Sequence, residues 1–481
     1  MGKEWKTTYP YHLGGLIAGP GSFSEVVETS IQELAMTALK MAKKEGADHA
    51  EAYVTKTRSL SAYLDNSSVK SVEEKHDAGL AVRVIKDGRV GQSSTSFSSQ
   101  KQLEACVRRA MHAASLLPQD AVFKGFSFPV KEQVKVRNRD PAVASVTPQL
   151  LTELAVQLIS SVQSGNGVKV PTGVIRAADF QSVVANTNEL MAHREATLLH
   201  VLVTAMTEGP FPGEGVEKFH SPCLKDLNVE SLGSSLRIKA LAASKAQAFQ
   251  GHSKVQAIIP PHELADMLQG SVCFALSAEN VNRKRSPFSS QMERKVASRS
   301  LTLIDDPSDK RGMLSSPFDD EGVPTKKRML IKEGILKGFL YDLYNSYLSR
   351  TAPTGNGLRR SATETIGSYQ LPVSIGPICL VLKPGSHDRE DMIAEMKHGL
   401  VVEKVASAEV HPITGDFGLE IRLAHLVENG ERKCSLKHCL LSGNMFRALN
   451  QIVEVGKDAT VSQNAILPSV LFDDLELVGG E

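Results

Sequence analysis

Residues 79–96 read GLAVRVIKDGRVGQSSTS, with Leu80, Val82 and Val84 at every second position ahead of Asp87-Gly88. Alternation puts one set of side chains on one face of a strand, and Asp-Gly between two such runs is a strong signal for a two-residue hairpin turn. This commits the region to antiparallel sheet with one buried face. The preceding runs AEAYVTK, SLSAYL and VKSVEE share the alternation and are predicted as a series of short strands.

Helical spacing flanks these runs. Residues 28–46, ETSIQELAMTALKMAKKEG, set Ile31, Leu34, Ala35, Ala38, Leu39 and Ala42 on one stripe and stop at glycine. A second helix is predicted over 99–117 and a third at PQLLTELAVQLISSVQ, with an irregular, proline-containing connection over 118–147. Strand patterns return in VKVPTGVIRAAD, QSVVANTN and ATLLHVLVTAM, before TEGPFPGEG at 207–215. The expectation is an α+β chain whose N-terminal α/β domain, 28–215, carries a mostly antiparallel sheet. A β-rich C-terminal domain with a few helices follows over 216–481. It opens with an alanine-rich helix near 228–250 and contains hairpins about Glu333-Gly334 and Asn429-Gly430. Residues 1–27 read as a loose N-terminal extension, and their apolar run LGGLIAG is too short to span a bilayer.

Composition excludes some functions. Fifty-five basic residues against 54 acidic ones leave a formal charge of +1, which argues against direct nucleic-acid contact. The six cysteines form no CxxC, which suits free thiols in a reducing, cytoplasmic setting.

Residues 260–267, PPHELADM, pose a sharper question, because His-Glu opens the HExxH helix of many zinc peptidases. That motif needs a second histidine at i+4, on the same helix face, and here the position holds Asp266. Leu264, Met267, Leu268, Val272 and Ala275 form the apolar stripe, so His262 and Asp266 are expected on a solvated polar face near a helix N-terminus, where Glu263 and Asp266 also favour the macrodipole. Asp266 could ligate zinc only with a third protein ligand. The candidates lie in RKCSLKHC, where strand alternation would send Cys434 and His438 to one face and Cys439 to the other.

Thr354-Gly355-Asn356-Gly357, followed by Arg359 and Arg360, joins backbone-permissive residues to two guanidinium groups. Glycines let backbone amides approach a ligand and arginines pair with carboxylates. Chemistry alone leaves a structural turn and a substrate- or partner-facing loop both open.

The order of DDEGVPT, IKEGILKGFLYDLYNSYLS, PTGNGLRR, HPITGDFG, ENGE, LSGN and SVLFDDLELVGG resembles the TldD/PmbA family, in particular its PmbA (TldE) branch. GADHAEAYV and GLAVRVIKDGRVGQSSTS are similar to the opening domain of that family, so the resemblance spans about residues 28–481. TldD-type members resemble zinc peptidases with an HExxxH helix and a distant C-terminal cysteine ligand. Placed by Asn282-Arg283-Lys284 and Phe288, the HExxxH positions fall on Gly270 to Ala275, GSVCFA, and no cysteine follows Cys439. The resemblance thus implies no catalytic and no metal-binding residue in this chain. It implies a TldD-type catalytic partner holding the zinc, a peptide substrate, and a homodimer as the form without that partner. A self-sufficient metallopeptidase built on His262 and Glu263, and a stand-alone peptide-binding scaffold, are the alternatives.

Overall fold

The computed structural model describes residues 30–97, 99–130, 136, 138–165, 167–360 and 366–479. The expected N-terminal extension, 1–27, lies outside the described residues. The first amphipathic stripe forms α1 (Ile31–Lys44), started by a capping box. The Ser30 hydroxyl accepts from the Glu33 N–H at 3.1 Å and the Glu33 carboxylate accepts from the Ser30 N–H at 3.2 Å. The second helix, α2 (Gln100–Leu116), buries Leu103, Cys106, Val107, Ala110, Met111 and Ala114.

The short alternating runs fuse into two long strands, β1 (His49–Asp65) and β2 (Ser68–Lys86), which turn through Asn66 and Ser67 at φ 47° and 58°. The expected breaks fall at polar stretches such as Glu73 to Asp77. The ladder carries on through them, because backbone pairing needs no apolar side chain where a strand is partly exposed. β3 (Arg89–Ser96) follows the Asp87-Gly88 turn. Next come α3 (Pro141–Ala144), α4 (Pro148–Val162), β4 (Val168–Asn186), β5 (Met191–Thr207), β6 (Glu214–Ser221) and α5 (Val229–Ser244). The strands make one antiparallel sheet in the order β3-β2-β1-β4-β5-β6. On one face, α1 and α2 pack on Ala50, Ala52 and Val54, while α4 and α5 pack with Leu60, Ala62 and Leu64.

TEGPFPGEG is the connection from β5 into β6 rather than the edge of this unit, so the sheet and its helices run past residue 215 to Ser244. Its glycines serve close packing. A Cβ on Gly213 would lie 2.0 Å from the Ser244 backbone nitrogen, so only hydrogen fits there.

In the second half, strands His252–Ile259, His398–Val405, Asp416–Glu428, Cys439–Asn444 and Val470–Val478 close into a barrel, because His398–Val405 pairs with both His252–Ile259 and Asp416–Glu428. Both expected hairpins form, at Glu333-Gly334 and Asn429-Gly430. A second sheet runs through Arg328–Lys332, Leu303–Asp305, Leu380–Leu382 and Ala465–Leu467. One apolar cluster joins barrel, second sheet and α6 (Pro261–Leu268). Among the described residues no helix is long and apolar enough to cross a membrane.

Candidate functional site

The other face of the first sheet is the informative one. Across it lie Asp319–Val323, the start of helix Leu343–Leu348, and Gly357–Arg360, and the contact sets buried charge beside small apolar clusters such as Val323 and Leu343 on Ile85. Arg83 on β2 grips Glu51 on β1 at 2.9 Å through both Nε and Nη2, and its Nη2 also reaches Glu321 Oε1 at 2.9 Å. Arg359 adds a contact to Glu51 at 3.2 Å, and Arg194 on β5 donates to Asp320 at 2.7 Å. All these side chains are buried. Such groups are tolerated in a low-dielectric interior only when each charge is paired or hydrogen-bonded.

The Thr354–Arg360 loop belongs to this seam. The structure therefore overturns a substrate- or partner-facing role for Thr354, Gly355, Asn356, Gly357, Arg359 and Arg360: each is buried within the chain. The Thr354 hydroxyl accepts from the Tyr341 N–H at 2.7 Å, and the Asn356 amide donates to Asp305 at 2.6 Å. Gly355 adopts φ 77°, and a Cβ there would lie 2.7 Å from the Pro324 carbonyl oxygen. Gly357 gives its N–H to Asp319 Oδ2 at 2.8 Å, and a Cβ on it would come within 2.3 Å of Glu321 Oε2. The Arg359 N–H donates to Asp320 at 2.7 Å, its Nη1 reaches the Leu371 carbonyl at 3.3 Å, and its guanidinium lies over the Tyr53 ring at 5.2 Å. Arg360 donates to the Pro377 carbonyl oxygen. Glycine marks the close backbone approach expected from sequence, but the backbone approached is the protein's own.

PPHELADM forms α6, with Pro261 in its first turn. The expected polar face is only partly solvated, with His262 and Asp266 both half-buried. Glu263 is buried and receives the Lys404 ammonium at 2.8 Å, while Asp266 receives Lys218 at 3.2 Å. His262 is partly buried, with its Nδ1 2.9 Å from the Ser462 hydroxyl and its ring 6.1 Å from that of His220. His220 Nε2 in turn lies 3.0 Å from His200 Nδ1. Sequence could not reveal this row, because its members sit on β5, β6 and α6. Burial favours the neutral imidazoles. It pushes His200 down to about 4, with help from Arg176 and Lys218, and His262 down to about 3, with help from Lys218, Lys239 and Lys404. A cleft of about 240 Å³ opens beside the α6 N-terminus, lined in part by Glu217, Lys239, His262, Glu263, Glu403 and Lys404. Its cations are matched by carboxylates: Lys239 meets Glu217 at 2.8 Å, and Arg389 meets Glu403 at 2.7 Å.

The segment aligned with a zinc motif by resemblance, Gly270 to Ala275, lies on a widened π-helical turn at Gln269–Cys273 and the short helix Phe274–Leu276. Ser271 donates to the Met267 carbonyl at 2.6 Å, while Val272, Cys273 and Ala275 pack in the main apolar cluster. Gly270 and Ala275, which the resemblance sets at the two histidine positions, carry no side-chain donor atom. Burial drives the Cys273 thiol up to about 12, away from the thiolate that a metal requires. These side chains do not fit zinc. Nor do Cys434, His438 and Cys439 supply a ligand set: His438 sits at φ 54° between Glu431–Lys437 and Cys439–Asn444. That break resets the alternation, so Cys434 and Cys439 both pack on the apolar cluster instead of facing opposite ways. Among the described residues no group of three His, Cys, Asp or Glu could hold a metal ion.

Comparison with known proteins gives this architecture a family. The family models for the PmbA/TldA metallopeptidase C-terminal domain and for the PmbA/TldA metallopeptidase domain 1 match residues 252–479 and 50–114, together more than half of the chain. The chain is 26% identical to an uncharacterized protein of Methanocaldococcus jannaschii, over 90% of this chain and 97% of that one. It is 25% identical to the metalloprotease PmbA of Escherichia coli O157:H7, over 93% and 96% of the two chains. The crystal structure of TldE from Thermococcus kodakarensis superposes with a TM-score of 0.85 at 24% identity, covering 93% of this chain and all of that one, and shares its fold. The chain belongs to the PmbA/TldE family of metallopeptidase-like proteins.

Proposed function

We propose that this chain is the non-catalytic, TldE-type subunit of a cytoplasmic metallopeptidase that degrades unfolded or modified peptides, with the zinc held by a TldD-type partner. One observation carries the proposal. The two positions aligned with zinc-binding histidines hold Gly270 and Ala275, on a turn packed into the main apolar cluster. Zinc hydrolysis needs three protein ligands, an open coordination position and a base. The Glu263 carboxylate, base of the alternative in which the chain is a peptidase by itself, is occupied by Lys404. Within the proposed complex, β3 is the terminal strand of its sheet and offers an edge to which an extended peptide can add.

The test is reconstitution with the TldD-type chain of the same genome. Hydrolysis of an unstructured peptide is expected only when both chains are present, unchanged by Glu263→Gln here and abolished by the same change in the partner's HExxxH motif. Hydrolysis by this chain alone, lost in Glu263→Gln, would overturn the proposal.

A further inference from the structure

The seam between the first sheet and the C-terminal half contains more acid than base. Glu51, Asp319, Asp320, Glu321 and Asp342 are all buried there, against Arg83, Arg194, Arg359 and Arg360. Arg83 and Arg359 hold Glu51, Arg83 holds Glu321, and Arg194 holds Asp320. Asp319 receives backbone N–H groups instead: Glu321 and Val323 at 2.9 Å on Oδ1, and Gly357 at 2.8 Å on Oδ2. Gly357 ties the two carboxyl groups to one place, since its N–H binds Asp319 Oδ2 while a Cβ built on it would lie 2.3 Å from Glu321 Oε2. The same Glu321 oxygen accepts the Leu343 N–H at 2.8 Å. Two neighbouring buried carboxylates, one held by backbone N–H groups alone and the other by an arginine it shares with Glu51, cannot both stay ionised in a dry interior without large cost.

We propose that Asp319 and Glu321 hold one proton between them near neutral pH, and that its loss loosens the contact between the first sheet and residues 319–323: the seam is a proton-dependent latch. The groups facing Glu321 are Arg83 on β2, Glu51 on β1, and Asp342 and Tyr347 at the helix Leu343–Leu348. Those facing Asp319 are Glu321 and, from β5, Arg194. Burial, opposed by Arg83 and reinforced by Asp342 and Glu51, lifts Glu321 up to about 7, and burial together with the Glu321 charge lifts Asp319 well above its ordinary value against the pull of its backbone N–H bonds. The sign follows. A carboxyl group raised in the folded state binds more protons there than in the unfolded chain. Its contribution is whole below the ordinary carboxylate range and is lost as pH rises through about 7.

Hydrogen exchange of the full chain, followed by mass spectrometry between pH 5 and 8 and corrected for intrinsic rates, tests the latch. Protection in peptides covering 316–325 and 340–345 is expected to fall with rising pH, by at most about tenfold per unit, while α1 and α2 stay flat. Glu321→Gln and, independently, Asp319→Asn should flatten that slope. A flat profile in the natural protein, or an equal slope in both variants, would overturn the proposal. If neither variant folds, the flat or sloping profile of the natural protein still decides.

Discussion

Arg359→Ala should damage the fold rather than cleanly remove a binding contact. The guanidinium is 2% exposed, contacts Glu51 Oε1 at 3.2 Å and the Leu371 carbonyl at 3.3 Å, and lies over the Tyr53 ring at 5.2 Å. Truncation leaves Glu51 with Arg83 alone and opens a cavity beside β1. Removing one partner of a buried pair costs about 3–5 kcal/mol. The surviving Arg83 bond to Glu51 argues for the lower end, about 3 kcal/mol, and the lost cation–π contact restores about 1 kcal/mol of cost. Against whole-domain stabilities of about 5–15 kcal/mol this is a large fraction. Arg359→Met keeps most of the volume and should lose about 1–2 kcal/mol less, as expected for a volume-conserving replacement. Urea unfolding followed by circular dichroism, on the natural chain and both variants at one pH, reads these differences as midpoint shifts. An Arg359→Ala midpoint equal to that of the natural chain would refute the buried seam and return the residue to a surface role.

Three further outcomes rest on separate features. Gly357→Ala would place a methyl 2.3 Å from Glu321 Oε2, so it should cost at least the roughly 1–3 kcal/mol of core overpacking, measured by the same unfolding assay. Asp342→Ala removes the side chain that accepts the Asn345 N–H at 2.7 Å and caps helix Leu343–Leu348, for a loss of about 1 kcal/mol and a lower melting temperature. His200 and His262, lowered in the fold to about 4 and about 3, bind fewer protons folded than unfolded, so their contribution is whole above the ordinary histidine pKa and lost as pH falls. His262→Asn should therefore shrink the decline of stability between pH 6.5 and 4, read from melting temperatures; an unchanged decline would remove that histidine from the account.

Where the sequence was legible, the cause was local. Asp87-Gly88, Glu333-Gly334 and Asn429-Gly430 mark hairpins because the turn chemistry sits in the turn itself. The stripe of α1 reads directly for the same reason. Strand length was harder to read, since the polar residues of β2 at Glu73–Asp77 stay in the ladder through their backbones. Least legible was the site. Arg359 looked like a ligand-binding group because its partner, Glu51, lies 308 positions away in the chain. Likewise, nothing near His262 announces His220 and His200, which reach it only through the fold.

Zinc content per chain tests the central claim most directly, measured on this protein purified alone, after dialysis, and again with the proposed TldD-type partner. The account predicts no stoichiometric zinc in the chain alone and one zinc per heterodimer, removed by changing the partner's motif histidines. Stoichiometric zinc in the isolated chain, surviving dialysis and lost in His262→Ala, would contradict it.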